Sequence, residues 1–529
     1  MHVTNPPGLV GLVLLTVALA VNIAAQATSF NNPIIYEDFP DNDVFVGPDG
    51  AYYFSASSFH YSPGAPILKS HDLVNWELIG HSVPRLDFGD GYDLAPGTRA
   101  YRGGIWASTM RYRKSNGLWY WLGCTNFWNN WIYSAPNATG PWTRGAYLGG
   151  GNCYYDTGML IDDDDTMYVV YGNPNVQIAQ LAADGKSQVK STSVLNATDV
   201  GMDAIEGNRI YKINGTYYIL NDHPGDTTYI WKSKSIWGPY ESKELIKSVT
   251  PPIQGGSSPH QGSLVQTSKG DWYYMSFTWA YPSGRLPVLA PIKWGTDGYP
   301  VFVTGANGGW GATYPLPLPA KPTPKWTGTY TFKGTTLDPH FEWNHDPDVS
   351  KYSVNNGLTL ATASVTNDLY QARNTLTHRI HGEFPNATVK FDISKLADGD
   401  HTGLAAFRDR SAYIGVHRSN GTNVIVAALN QTIDEFEGTT LDNGTVVDST
   451  PMPSGKTSLW FRTTLDARPN GTNDAKFFYS IDGKTFTQLG DRYKLYTGWA
   501  FFLGYRFAVF NHATVALGGS VKISEFTVA

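Results

Sequence analysis

Two cysteines, Cys124 and Cys153, are all that the 529 residues contain. A framework of disulfides is therefore excluded as the basis of the fold, although this pair can either bond in an oxidising compartment or remain as two buried thiols. Charge is also scarce. Charged side chains make up 16 % of the chain, against roughly 25 % in an average globular protein. The net charge is −6 and no basic run occurs, which argues against nucleic acid or an anionic membrane as partner. No helical periodicity of useful length is present, so a helical bundle is excluded. The length exceeds one ordinary core and points to two domains.

The one long apolar stretch, residues 8–25, lies at the N-terminus and ends in Ala25-Gln26-Ala27. Its position and small-residue exit fit a secretory signal peptide over residues 1–27, with a secreted, extracellular product; an uncleaved anchor is the alternative. Eight Asn-x-Thr sequons, at Asn137, Asn196, Asn214, Asn386, Asn420, Asn430, Asn443 and Asn470, are compatible with a secreted glycoprotein.

Aromatics, in contrast, are plentiful at 14 %, and they recur in one pattern. An apolar strand runs into a polar or glycine turn and returns as an aromatic strand, as in Ile210-Tyr211-Lys212-Ile213, Asn214-Gly215, then Tyr217-Tyr218-Ile219. That is a strong hairpin signal. The pattern occurs five times, with turns at 50, 117, 166, 215 and 270. The period suits the blades of a propeller, so residues 28–313 are expected to form a five-bladed all-β ring. Segments such as Ile67-Leu68-Lys69-Ser70 and Tyr229-Ile230-Trp231 read as outer blade edges. A Pro-rich linker follows at 314–326. About ten short alternating runs in 327–529 then predict a β-sandwich or jelly roll, read as a packing or sugar-binding domain.

Nine or ten residues before the turns stand Asp41, Ser108, Asp156, Glu206 and His260. If corresponding positions aim alike, three carboxylates and an imidazole meet at the ring's axis, and such crowding shifts pKa values apart. Two carboxylates flanking an acetal oxygen can hydrolyse a glycosidic bond. Glu206, between Ile205 and Gly207, suits the acid. Asp41, in a polar setting, suits the base, and Asp156 can tune and orient Glu206. A non-catalytic carbohydrate-binding propeller is the rival from another class. Trp106, Phe127 and Trp128 serve either as platforms for sugar faces or as core. Asp162-Asp163-Asp164-Asp165 reads as an acidic hairpin tip rather than a cation site. His260 is either a neighbour, through water, of a structural Ca²⁺ or a hydrogen-bonded core histidine.

The segments Pro40-Asp41-Asn42-Asp43-Val44, Tyr155-Asp156-Thr157-Gly158-Met159, Ile205-Glu206-Gly207, His260-Gln261-Gly262-Ser263 and Ser283-Gly284-Arg285 resemble glycoside hydrolase family 43. Trp343-Asn344-His345 and Ala372-Arg373-Asn374 resemble the sandwich appended to many members. The resemblance implies an inverting exo-enzyme of the β-xylosidase or α-L-arabinofuranosidase kind, acting on plant cell-wall arabinoxylan or xylo-oligosaccharides, with galactan or arabinan as alternatives. It implies no cofactor for the chemistry, Asp41 as general base, Asp156 as pKa modulator and Glu206 as general acid. By the same resemblance Arg285 contacts substrate and His260 lies near a central cation site. Two positions depart from the family's pattern. Asn42 stands where proline is usual, and Asn208-Arg209 replace Pro-His; Arg209 either reaches into the pocket or pairs with a surface acid, the second reading being slightly preferred.

Overall fold

In the computed structural model, which describes residues 1–4, 28–126, 128–148 and 153–529, the five hairpins are the first two strands of five four-stranded antiparallel sheets. The apolar leader falls at 5–27, outside the described residues. Blade I comprises Asp43–Val46, Tyr52–Ser55, Gly64–Ser70 and Trp76–Val83; blade II, Ile105–Arg113, Leu118–Thr125, Asn129–Ala135 and Thr143–Leu148. Blade III comprises Gly158–Ile161, Met167–Tyr171, Asn175–Leu181 and Gln188–Asn196; blade IV, Glu206–Ile213, Thr216–His223, Thr227–Ser233 and Glu241–Lys247. Blade V comprises His260–Gln266, Trp272–Trp279, Arg285–Trp294 and Pro300–Phe302.

The turns form because each places a tolerant residue in the left-handed region. Gly50, Gly117, Asp165, Gly215 and Gly270 have φ between 68° and 91°, where glycine carries no Cβ clash and Asp is among the few side chains that adapt. The segments expected at the blade edges are third strands, one in from the edge. The edges themselves are polar strands such as Gln188–Asn196 and Glu241–Lys247, whose exposed lysines discourage pairing with another chain.

Blades II to V use consecutive strands and blade I omits only Tyr61–Ser62, so no blade is completed by the far end of the ring. Instead Ser29–Asn31 pairs with Thr313–Pro315 as a separate ribbon. Asn32 clips it to blade V, donating from Nδ2 to the carbonyls of Leu289 and Gly311 at 2.9 Å each. Cys124 and Cys153 are bonded, with Cα atoms 5.3 Å apart, joining blade II to the segment before blade III. The Pro-rich stretch lies against blade I, where the Lys321 N–H donates to Asp72 Oδ2 at 2.6 Å and Trp326 packs on Phe39.

The C-terminal half is a sandwich of a nine-stranded and an eight-stranded sheet. In the eight-stranded sheet both faces are covered. Along Asp400–Phe407 and Arg506–Ala513, Leu404, Ala406, Phe507 and Val509 enter the sandwich core. Their neighbours Ala405, Phe407, Ala508 and Phe510 pack instead with Phe59, Tyr61, Tyr101 and Trp106 of the propeller. Alternate residues point to opposite faces, so burial on both sides explains the unbroken apolar run Val424 to Leu429. Each large side chain so buried contributes roughly 1.5–3 kcal/mol. The propeller even adds a strand to this sheet, Tyr61–Ser62 pairing with Phe341–Asn344.

At that junction Glu342 is fully buried and bonded by His81 at 2.8 Å, Arg379 at 2.9 Å and Arg506 at 2.6 Å. Burial pushes its carboxyl pKa up, but Arg379, Arg506 and the His81 contact overcome that push and hold it well below the ordinary range. The contribution is therefore complete above the ordinary carboxyl pKa and is lost as pH falls through the depressed value. Glu342→Gln, which leaves two buried guanidiniums without a counter-charge, is expected to cost about 3–5 kcal/mol by denaturant titration at neutral pH. The difference from wild type should shrink in acid; an undiminished gap at low pH refutes this account of the charge.

Candidate active site

The first strands of blades IV and V open with the same irregularity. Glu206 pairs with Asp222 but Arg209 with Leu220, and His260 pairs with Phe277 but Ser263 with Met275, so one residue is bulged in each. The residue after each opening position is left-handed: Gly207 at φ 68° and Gln261 at φ 49°. Asp41 at 60° and Asp156 at 48° share this conformation, each two residues before its strand's first residue. Asp41 and Asp156 thus occupy the bulge position, whereas Glu206 and His260 stand one residue earlier. Counting back from the turns misses this because hairpin lengths differ by one. The same offset corrects blade II, where Ile105 corresponds to Glu206. Ser108 is a buried strand residue that accepts a hydrogen bond from Trp121 Nε1 at 3.0 Å. Left-handed backbone at a non-glycine residue costs about 1–3 kcal/mol and concentrates where function requires it.

Asp41, Asp156 and Glu206 line one cavity of about 440 Å³ at the end of the propeller that faces the sandwich. Asp41 is ion-paired with Arg285 Nη1 and accepts from Ser57 Oγ at 2.6 Å. Asp156 Oδ2 accepts the Gly207 N–H at 2.9 Å and Gln261 Nε2 at 3.5 Å. Glu206 Oε2 accepts from Tyr155 Oη at 2.9 Å. Burial raises the Asp156 carboxyl well above its ordinary pKa, and the charges of Glu206 and Asp41 add to the rise. Burial also raises Glu206, the Tyr155 hydroxyl opposes, and the Asp41 charge reinforces.

Arg209 is not at the surface. Its side chain is completely buried beneath the carboxylates, where it donates to the carbonyls of Asp41 at 2.9 Å, Asn42 at 3.1 Å, Thr157 at 2.8 Å and Asn208 at 2.9 Å. Segments from blades I, III and IV are thereby pinned around one cation. A long basic residue placed two after the bulge reaches the axis because its neighbours there, Ser263 and Gly158, are small.

The cavity wall is aromatic. Trp106 lines it while packing edge-on against Phe59 and Phe502, so it is wall and core together. Trp128 is 68 % exposed and does not line the cavity; Phe127 lies outside the described residues. The sandwich supplies Phe502 and Trp499, the latter 50 % exposed and stacked on Trp279 with centroids 5.5 Å apart. Arg285 also donates to the Phe502 carbonyl at 3.2 Å. Asp162 and Asp165 are hairpin-tip acids paired with Lys212 and Arg113. A larger groove of about 660 Å³ between blades IV and V has Asp297 at its rim, already paired with Lys243, and gathers no set of acids.

His260 is buried edge-on to Phe277 and Trp279, with Nδ1 3.0 Å from the Ser258 carbonyl. Burial depresses its pKa to about 4, so the ring is neutral. Ca²⁺ takes six to eight oxygen ligands. Among the described residues no group of three His, Cys, Asp or Glu side chains is arranged to hold a metal.

The participants that escape a reading of the sequence include Tyr155, Trp279, Trp499 and Phe502. The first immediately precedes Asp156 in a turn ahead of Gly158–Ile161, where strand alternation gives no guide to its direction; the others reach the site through strand pairing or domain docking, which leave no local signal. Gly207 holds the arrangement together, since a Cβ there would fall within contact of Asp222 Oδ1 and 2.5 Å from Gln261 Cγ. Gly207→Ala, strained also by its φ, is expected to lower stability by about 1–3 kcal/mol in a denaturant titration; an unchanged midpoint contradicts the crowding described.

Comparison with known proteins is consistent along the whole chain. The pattern of Glycosyl hydrolases family 43 matches residues 30–300, and that of the β-xylosidase C-terminal concanavalin A-like domain matches residues 329–529. A β-xylosidase of Formosa agariphila is 27 % identical over 94 % of this chain and 90 % of its own. A non-reducing end α-L-arabinofuranosidase of Bacteroides ovatus is 30 % identical over 55 % of this chain and 56 % of its own. A solved family 43 glycoside hydrolase, described as engineered at its active site to display both endo-xylanase and exo-arabinofuranosidase activity, superposes with a TM-score of 0.91. It is 41 % identical, covering 95 % of this chain and all of that one. The chain belongs to glycosyl hydrolase family 43 and is a two-domain glycoside hydrolase of that family.

Proposed function

We propose that this enzyme removes terminal L-arabinofuranosyl or D-xylosyl units from arabinoxylan or xylo-oligosaccharides, as an exo-acting hydrolase that inverts the anomeric centre. The observation that carries the reading is the convergence of Asp41, Asp156 and Glu206 in one pocket walled by Trp106, Tyr155, Trp279, Trp499 and Phe502. Such a pocket suits a chain end better than a chain interior. The names of the relatives support the choice of pentoses.

Glu206 is the general acid. Its raised pKa keeps the proton available for the leaving oxygen at a pH where an exposed carboxyl has lost it. Asp41 faces the donors Arg285 and Ser57 and is presented as an acceptor, the form in which a base takes a proton from the attacking water. Asp156 is the orienting carboxylate: through the Gly207 N–H it fixes the strand start that carries Glu206. Arg285 holds Asp41 in place and presents its remaining N–H groups to the substrate hydroxyls. Trp499 and Trp279 form a stacked rim suited to the sugar beyond the scissile bond.

Export is part of the same proposal. The leader at residues 1–27, the Cys124–Cys153 bond and the exposure of Asn137, Asn214, Asn420, Asn430, Asn443 and Asn470 support a secreted glycoprotein meeting plant cell-wall polysaccharide; N-terminal sequencing and glycosidase treatment of the mature protein test it.

Released pentoses from arabinoxylan, assayed beside aryl xyloside and aryl arabinofuranoside, decide the sugar. Asp41→Asn should lower kcat by about 10²–10⁴ on every substrate. Glu206→Gln should do so on natural substrates and much less on an aryl glycoside, whose leaving group needs little protonation. Wild-type turnover by either variant on arabinoxylan removes the assignment. Trp499→Ala should raise KM for polysaccharide by roughly tenfold, the worth of a 1–1.5 kcal/mol stacking contact, while leaving kcat/KM on aryl glycosides nearly unchanged; equal losses on both place the ring elsewhere in the mechanism.

A further inference from the structure

Among the described residues of the propeller two aromatic side chains stand exposed, Trp128 at 68 % and Tyr147 at 41 %. Both belong to blade II, and they are neighbours. The Tyr147 hydroxyl is 3.3 Å from the Trp128 carbonyl and 3.2 Å from Asn129 Oδ1. Its ring meets half-buried Trp131 edge-on, with centroids 5.4 Å apart. Rings left in water add nothing to the core, and exposed apolar groups that are contiguous mark surfaces that meet a ligand.

The strand register places this patch relative to the pocket. In blade IV one row across the sheet reads Glu206, Asp222, Thr228, and in blade II the corresponding row reads Ile105, Thr125, Asn129. First and third strands of an antiparallel blade run in the same direction. Trp128, one residue ahead of Asn129, therefore stands at the end of the propeller where the cavity opens. Two strand spacings set it roughly 10 Å outward from the first strand of its blade. Trp106, on that first strand, lines the cavity. Blade II thus carries one ring in the pocket wall and a second farther out on the same rim, with Tyr147 and Trp131 beside it.

The outer ring rests on a braced base. Asn130, two residues on, donates from Nδ2 to the Leu148 carbonyl at 3.2 Å and accepts the Tyr154 N–H at 2.5 Å. Cys124, opposite Asn130, is bonded to Cys153. A surface held in this way loses little freedom when a ligand settles on it. Arg144, whose guanidinium lies 5.0 Å from the Trp131 ring centre, is paired with Asp87 at 2.8 Å. Its charge is balanced, which suits a neutral polymer.

We propose that Trp128 and Tyr147 form a second carbohydrate-binding surface, which stacks on pyranose rings of a xylan backbone whose cleavable unit occupies the pocket. The proposal rests on the arabinoxylan reading of the substrate. The C–H face of a pyranose matches an aromatic face, and the Tyr147 hydroxyl can accept from a sugar hydroxyl while it donates to the loop. A short substrate ends before this surface; a long one reaches it.

The test is a chain-length series. Wild type, Trp128→Ala, Trp128→Phe and Tyr147→Ala are compared on an aryl pentoside, on arabinoxylo-oligosaccharides of increasing length and on polymeric arabinoxylan. Trp128→Ala should lower the ratio of polymer to aryl-pentoside kcat/KM by roughly tenfold, the effect of losing one aromatic contact, through KM rather than kcat and increasingly with length. Tyr147→Ala should act in the same direction, and Trp128→Phe, which keeps an aromatic face, should recover most of the loss. Affinity electrophoresis in gels containing soluble xylan, with Asp41→Asn as the inactive background, reads binding without turnover, and adding Trp128→Ala should weaken the retardation. A loss equal at every length, or none, with retardation unchanged, overturns the proposal. If the wild type itself releases no pentose from arabinoxylan, the substrate reading has failed and this surface with it. If it does so while Trp128→Ala matches it at every length, only the surface has failed.

Discussion

A guanidinium without exposed surface occupies the axis of the propeller, and the geometry above it follows from that fact. Arg209 can be desolvated only if its donors are met, and they are met by carbonyls of Asp41, Asn42, Thr157 and Asn208. Those carbonyls belong to the segments that carry the catalytic carboxyls. The bond network thereby fixes three strand starts drawn from different parts of the chain at once. It also places positive charge beneath a group of acids that would otherwise repel one another in a low-dielectric setting.

The second constraint comes from outside the ring. Asp38, just ahead of the base, accepts the N–H of Arg285 at 2.8 Å and that of Gly504 from the sandwich at 3.0 Å. The Arg379 Nε donates to the Asp38 carbonyl at 2.9 Å. The sandwich is thus a structural part of the active site as well as a wall of its pocket. Continuous β-pairing through Tyr61–Ser62 and the buried Glu342 cluster make the two halves one body.

The sequence showed the fold because its signals are local. Asn214-Gly215 and Lys269-Gly270 announce turns, and the aromatic returns after them could be read without knowing what they pack against. Asp41, Asp156 and Glu206 were also legible, although their spacing suggested one common position where the structure has two. The bulge at Glu206-Gly207 alters the register by one residue and leaves no mark on the periodicity. Arg209 was misread for a related reason. A charged residue in a strand looks like a surface residue until four carbonyls from distant segments are seen around it. Trp499 and Phe502 were beyond reach, since domain docking brings them to the pocket from positions with no distinguishing pattern.

The ribbon formed by Ser29–Asn31 and Thr313–Pro315 gives the ring a discontinuity that its symmetry conceals. Blades I and V are neighbours in space but are joined by no peptide of their own, and Asp41 stands on one bank of that gap while Arg285 and His260 stand on the other. The side chain of Ser263 crosses it, receiving the Val44 N–H and donating to the Asn42 carbonyl. Slippage of the first blade against the last would therefore misalign the water-activating carboxylate from its guanidinium partner before disturbing any single sheet. Closing the ring brings together stretches of chain almost three hundred residues apart, and the second domain adds a further tie across it through the Gly504 N–H on Asp38.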